Sequence, residues 1–131
     1  MGAFAGVNTS SLLVAGMKVA QQNHRIIANN IANADTPGYN PVHLNFHATL
    51  RDAVAGRGAL ALRRTDPRHL DASRYSLGTG RLVRSSKNDY NKVDIEEETA
   101  KLAENRGRYT QYASILTKQF SMVKNMLAND R

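Results

Sequence analysis

Apolar or small residues return at alternating spacings of 4 and 3 from Leu13 onward: Leu13, Met17, Ala20, His24, Ile27, Ile31 and Ala34. The same rhythm reappears near the other end in Ile95, Thr99, Leu102, Arg106, Tyr109, Ala113, Leu116, Phe120, Val123 and Leu127. A repeat of about 3.5 residues keeps one seam of a helix facing a partner along its length, the pattern of coiled-coil packing. Beside the first stripe runs a second, Leu12, Gly16, Val19, Asn23, Ile26, Asn30 and Asn33, apolar at first and then turning to asparagine. The pattern predicts a mainly α fold, with long N-terminal and C-terminal helices pairing as an antiparallel coiled coil. Between them lies an irregular middle, partly extended or β-containing. The segments are 8–35 for the first helix, 36–92 for the middle and 93–129 for the last helix.

Local signals place the boundaries. Asn8, Thr9 and Ser10 are each competent N-caps, and the first helix is expected to run to about Ala34, about 39 Å at 1.5 Å per residue. Thr36-Pro37-Gly38-Tyr39 stops it. Proline disfavours helical backbone in the residue before it, and glycine supplies the positive φ that a type II turn needs. Val42, Leu44 and Phe46 alternate with His43 and Asn45, as in a short strand or extended arm. Thr49 to Ala55 reads as a helical turn or two. Residues 56–90 are polar and turn-rich, and read as irregular loops with at most a hairpin. Asp94 is the N-cap of the last helix, with Glu97 completing a capping-box-like pair and Glu96 to Glu98 opposing the positive helix end. Gly107 is a weak point inside that helix, read as a bend or a close approach by another backbone.

The chain has 131 residues, no cysteine, no tryptophan and a formal charge of +7. Its length is that of one domain, but the apolar residues lie on stripes and make a seam rather than a globule. Disulfides, thiolate metal sites and cysteine nucleophiles are excluded. The first seven residues do not read as a cleavable secretion signal, and no stretch reaches the roughly 18 apolar residues that a bilayer span needs. The charge is uneven: residues 1–50 carry +1, residues 51–92 carry +6 and residues 93–131 balance to zero. The basic middle is poor in aromatics, with Tyr75 and Tyr90 in its second half, so stacking on single strands has little to work with. A solvated or protein-facing role fits it better than nucleic acid.

Candidate chemistry is thin. His43 and His47 have helical i, i+4 spacing, but the prolines before them argue for extended chain, and no nearby carboxylate or cysteine completes a zinc set. His24 reads as an interface histidine. No nucleophile elbow, phosphate loop or dinucleotide fingerprint occurs, and the glutamates at 96–98 are accounted for by capping. No catalytic, cofactor or metal site is therefore assigned. Asn23, Asn29, Asn30 and Asn33 stand out, since asparagine is a mediocre helix former. They are read as amides that bond adjacent subunits and fix register. With Thr36, Pro37, Gly38 and Tyr39, Asn30 and Asn33 form the candidate assembly motif.

Asn30-Ile31-Ala32-Asn33-Ala34-Asp35-Thr36-Pro37-Gly38-Tyr39 resembles the N-terminal signature of bacterial flagellar rod, hook and hook-associated proteins. Within that axial family, Thr65 to Leu70 resembles a Thr-x-x-x-His-Leu segment of the proximal-rod FlgB type. Val93 to Asn105, Tyr109 and Lys118 to Lys124 resemble its last helix. Thr99 stands where that type usually has methionine, and Gly107 where it has a helix former. The resemblance implies a structural subunit of the basal-body rod, exported uncleaved through the flagellar type III apparatus and placed in the periplasm. It also implies contacts with itself, other rod proteins, the membrane ring, the hook-basal-body adaptor and the export gate. The sibling FlgC type is the near alternative, although His69-Leu70 argues against it. A basic helical nucleic-acid binder and a soluble coiled-coil adaptor are the alternatives of other classes.

Overall fold

A computed structural model describes residues 8–55, 82–84 and 93–129. The first helix, α1, spans Thr9–Ala32. Asn8 caps it, its side chain accepting from the Ser10 amide at 3.1 Å, which satisfies one of the amides that a helix start leaves without a partner. The last helix, α3, spans Ile95–Asn129, about 52 Å at 1.5 Å per residue. Asp94 Oδ1 accepts from the amides of Glu96 at 3.0 Å and Glu97 at 3.2 Å, while Glu97 Oε1 lies 2.7 Å from Lys101 Nζ.

The two helices run antiparallel. Contacts climb α1 as they descend α3: Ser10 to Gln119, Gly16 to Tyr112, Asn23 to Asn105 and Asn30 to Glu98. From Gly16 to Asn30 these contacts step by seven residues on each helix, so both present a heptad seam. The α1 seam is the second, asparagine-rich stripe rather than the first. Leu13, Ala20 and Ile27 of the first stripe are buried beside it, Met17 and Ile31 are half-buried, and His24 is exposed. On α3 the seam differs from the one that the sequence predicts. Glu98, Asn105, Tyr112 and Gln119 face α1, while Ile95, Tyr109, Phe120, Val123 and Leu127 are exposed and Leu102 and Leu116 half-buried. Hydrophobic periodicity identifies the apolar stripe, but it does not say that α1 is what covers it.

Strand β1, Val42–Leu44, pairs antiparallel with β2, Leu82–Arg84, in the register His43 opposite Val83. Phe46 does not extend β1: it opens α2, Phe46–Val54, because Asn45 caps that helix, its side chain accepting from the Ala48 amide at 3.1 Å. Helix α2 therefore starts three residues earlier than the sequence predicts. Phe46 packs with Val19 and Ala20 as the core, flanked by Leu44, Leu50, Ala53 and Tyr112. The Arg108 guanidinium lies 4.8 Å from the Phe46 ring centroid, a cation–π contact that joins α2 to α3. The loop expectation for residues 56–81 and 85–92 lies outside the described residues. Among those described, no helix is long and apolar enough to cross a membrane.

Gly107 is exposed, with nothing within 4 Å of where a Cβ would stand. Among the described residues no backbone approaches it, so of the two sequence readings the close approach is not met, and the glycine is left with its entropic cost. Gly107→Ala is therefore expected to stabilise the helix by about 1 kcal/mol, read as a rise in thermal midpoint and in helicity by circular dichroism.

Candidate assembly site

The α1–α3 seam is a ladder of contacts. At its first rung, Ser10 Oγ donates to Gln119 Oε1 at 3.1 Å. At the next, Gly16 lies under the Tyr112 ring: a Cβ at residue 16 would stand 2.9 Å from Cε2. No larger residue lets the helices come so close there. At the third, Asn105 Nδ2 donates to the Ala20 carbonyl at 2.7 Å, and Asn23 Nδ2 donates to Asn105 Oδ1 at 3.0 Å. Asn105 is buried and bonds to both the backbone and a side chain of α1. Sliding the helices by one residue would leave its amide buried without partners, a cost of about 1–3 kcal/mol per group.

The last rung is a hub. Asn30 is fully buried, and its amide makes four hydrogen bonds. Nδ2 donates to the Val42 carbonyl at 2.8 Å and to Glu98 Oε2 at 3.0 Å. Oδ1 accepts from the Tyr39 hydroxyl at 2.9 Å and from the Val42 amide at 3.1 Å. One side chain thus ties the end of α1 to the turn, to β1 and to the start of α3. The turn itself is closed by Tyr39 N donating to the Thr36 carbonyl at 3.2 Å, with Gly38 at φ 75°. Asn33 Nδ2 donates to the Asn29 carbonyl at 2.8 Å, and the Thr36 hydroxyl donates to Asn33 Oδ1 at 3.3 Å. Pro37 and Gly38 are exposed. The motif therefore shapes the turn so that the Tyr39 hydroxyl reaches Asn30. Alanine at Gly38 must take a positive φ, at about 1–2 kcal/mol. Gly38→Ala is expected to slow or weaken docking of the arm, seen as faster amide exchange over Tyr39 to Leu44.

Glu98 is buried to 3% exposure. A buried carboxylate needs donors, and besides Asn30 it has Lys101 Nζ at 3.0 Å, while His43 Nδ1 lies farther off at 3.7 Å, outside hydrogen-bond distance. Burial works against the charge on Lys101, but its hydrogen bonds and ion pairs with Glu97 and Glu98 outweigh this and raise its pKa above the ordinary lysine value. A raised lysine pKa contributes stability below the ordinary value that is lost as pH climbs through the raised one. The lysine is therefore charged at neutral pH, and its contribution to the pair is lost in strongly alkaline solution.

These contacts redistribute the sequence assignments. Asn23 and Asn30 make hydrogen bonds within the subunit, which the sequence reading did not assign to them, and Asn33 serves the turn beside them. The structure does not bring the apolar residues Tyr109, Phe120, Val123 and Leu127 to α1. Capping alone does not account for Glu98, and the sequence reading missed Asn105 and Tyr112 as seam residues. The signal that finds them is the shared seven-residue step in polar residues, Asn23 and Asn30 against Asn105 and Glu98. Among the described residues no cluster of three or more His, Cys, Asp or Glu could hold a metal. His43 faces Glu98, and His47 is exposed on α2.

The family model described as flagella basal body rod protein matches residues 13–40, the stretch from the first apolar stripe through the turn. Among curated proteins, the flagellar basal body rod protein FlgB of Salmonella typhimurium is 32% identical over 119 residues, covering 85% of this chain and 86% of its own. That of Escherichia coli is 31% identical over the same share. That of Bacillus subtilis is 31% identical with both chains covered in full. A turn-and-hub motif inside the matched stretch, two long terminal helices and similarity along the whole length place the chain in the flagellar basal body rod protein family, as a member of the FlgB type.

Proposed function

We propose that this structural rod subunit occupies the proximal rod and polymerises through its terminal helices, after export through the flagellar type III apparatus without loss of a leader. The observation that carries the reading is the division of labour on α3. One face is spent on a polar ladder that fixes α1 and the arm, and the other presents exposed Tyr109, Phe120, Val123 and Leu127. An exposed apolar stripe of this length on a soluble subunit marks a protein contact, and its 3.5-residue period fits a helix. The neighbours in this reading are other rod subunits and further copies of the chain. At the rod base they are the membrane ring, the hook-basal-body adaptor and the export gate. The role is structural, with no catalysis, cofactor or nucleic acid, and the location is the periplasmic part of the basal body.

The segment assignment follows from the same logic. Residues 8–35 and 93–129 form the assembling pair, and residues 36–92 supply the turn, the arm and a basic excursion directed to lateral contacts. Export as a narrow chain favours a subunit whose apolar α3 stripe is covered only by its neighbours, so that ordering of the distal part of α3 is coupled to assembly. The test is complementation in flagellated cells lacking their own copy. The full chain is expected to restore motility, and an α3 truncated before Leu116 to fail. The mass of the protein recovered from basal bodies should equal that of the intact chain. Motility restored by the truncated chain, or a mass short by a leader, would contradict the corresponding part of the proposal.

A further inference from the structure

The open face of α3 has a charge pattern as well as an apolar one. Because Ser10 meets Gln119, about ten residues of α3, about 15 Å, run past the start of α1. Phe120 there is 62% exposed and Leu127 70%. From Asn105 to Asn129 the helix carries Arg106, Arg108, Lys118 and Lys124 and no acidic residue. Its start is the reverse, with Asp94, Glu96, Glu97, Glu98 and Glu104 against Lys101. Among the described residues, Lys118 and Lys124 have no ion-pair partner. A suitable occupant is therefore helical, apolar along one edge and acidic beside it.

The start of α3 has that chemistry. Ile95 is 51% exposed, Glu96 and Glu97 are exposed, and the same stripe continues through Thr99 to Leu102. We infer that the distal part of α3 in one copy docks head to tail along the start of α3 in a second copy, with Lys118 beside Glu96 and Glu97 and Lys124 beside Glu104. An offset of about three heptads keeps the stripe in register, setting Phe120 beside Thr99 and Val123 beside Leu102. The contact uses two different patches, so each added copy offers a fresh one and the assembly extends in a line. This contact rests on the assembling-subunit reading and specifies one interface within it.

The absence of cysteine from the chain makes disulfide trapping clean. Thr99 and Phe120 lie on one helix about 31 Å apart, so a disulfide between Cys at these positions must join two copies. Purified Thr99→Cys and Phe120→Cys chains are mixed under mild oxidation, with circular dichroism confirming that both fold. The expected product is the mixed dimer, in excess over either homodimer. Lys118→Glu with Lys124→Glu in the Phe120→Cys chain is expected to reduce its rate of formation roughly tenfold, two exposed ion pairs being worth about 1.4 kcal/mol together. Glu96→Lys in the Thr99→Cys chain should then recover part of it, through the contact at position 118.

Equal yields of all three dimers, or indifference to the charge reversals, would overturn the inference. The double variant Thr99→Cys with Phe120→Cys, expressed in flagellated cells, separates the two levels. Entry into basal bodies without a disulfide between copies, or with one only to a different rod subunit, overturns this contact and leaves assembly standing. Failure to enter basal bodies overturns the assembly reading itself. A ladder of cross-linked copies in basal bodies supports both.

Discussion

Asn30→Ala is expected to destabilise the free chain by about 3–4 kcal/mol and to detach the arm from the helix pair. The amide it removes makes four hydrogen bonds in a fully buried position. Alanine leaves the Val42 amide and carbonyl and the Glu98 carboxylate short of a partner, and each buried group so exposed costs about 1–3 kcal/mol. Part is recovered if water enters, so the total falls below the simple sum. The effect should be cooperative, because the turn, β1 and the start of α3 share this residue. Urea unfolding followed by circular dichroism measures the loss, and amide exchange shows whether it spreads to Tyr39 to Leu44 and the first turns of α3. Glu98→Gln is the informative companion. It keeps an acceptor for Asn30 and gives up the ion pair with Lys101, so a smaller loss is expected. A change below about 1 kcal/mol for Asn30→Ala would show that the hub does not hold these elements together.

Gly16→Val is expected to cost about 2–3 kcal/mol by a different route. The first added carbon would already stand 2.9 Å from the Tyr112 ring, closer than carbon atoms pack. A branched side chain must displace the ring or separate the helices. Overpacking of this kind typically costs about 1–3 kcal/mol, and the upper end applies because the ring lies directly over the glycine. The strain should be local, loosening the rungs at Ser10 and Gly16 before the one at Asn23. Tyr112→Ala in the same chain removes the obstacle, so the double variant should be more stable than the sum of the single losses predicts. A coupling near zero would mean that the two residues are not in contact.

How much of this was legible in the sequence depends on which force was at work. Caps and breakers act locally, and they were: Asn8, Asp94 and the Thr36-Pro37-Gly38-Tyr39 turn are set by residues within four positions of one another. The helix pair was also legible, because a 3.5-residue period survives over long stretches. The choice of face was not. Hydrophobicity draws attention to Tyr109, Phe120, Val123 and Leu127, yet α1 takes the face carrying Glu98, Asn105 and Tyr112. What decides it is the matching of polar groups across 68 and 82 positions of chain, Asn30 to Glu98 and Asn23 to Asn105. No window along the sequence contains both partners. Glu98 is the clearest case: it reads as one of three capping glutamates until Asn30 is placed beside it. Phe46 shows the converse, since a strand-like alternation lost to the stronger local capping signal of Asn45.

The stripe that the sequence marked as a seam is thus open in the single subunit, and it is the surface on which assembly is proposed to occur. A subunit built in this way spends hydrogen bonds on its internal register and reserves hydrophobic area for its neighbours. Polar matching is exacting about alignment, while apolar area supplies most of the association energy.

The most direct test is to purify detergent-resistant basal bodies from flagellated cells expressing the tagged chain and to quantify it there by mass spectrometry. The same is done for Asn30→Ala and for α3 truncated before Leu116. For a rod subunit held together at the Asn30 hub, the intact chain is expected to co-purify with basal bodies. Asn30→Ala should be present in the cells but depleted from the particles, and the truncated chain absent from them. An intact chain that stays in the soluble pool of flagellated cells, or an Asn30→Ala chain that enters basal bodies as well as the intact one, would contradict this reading.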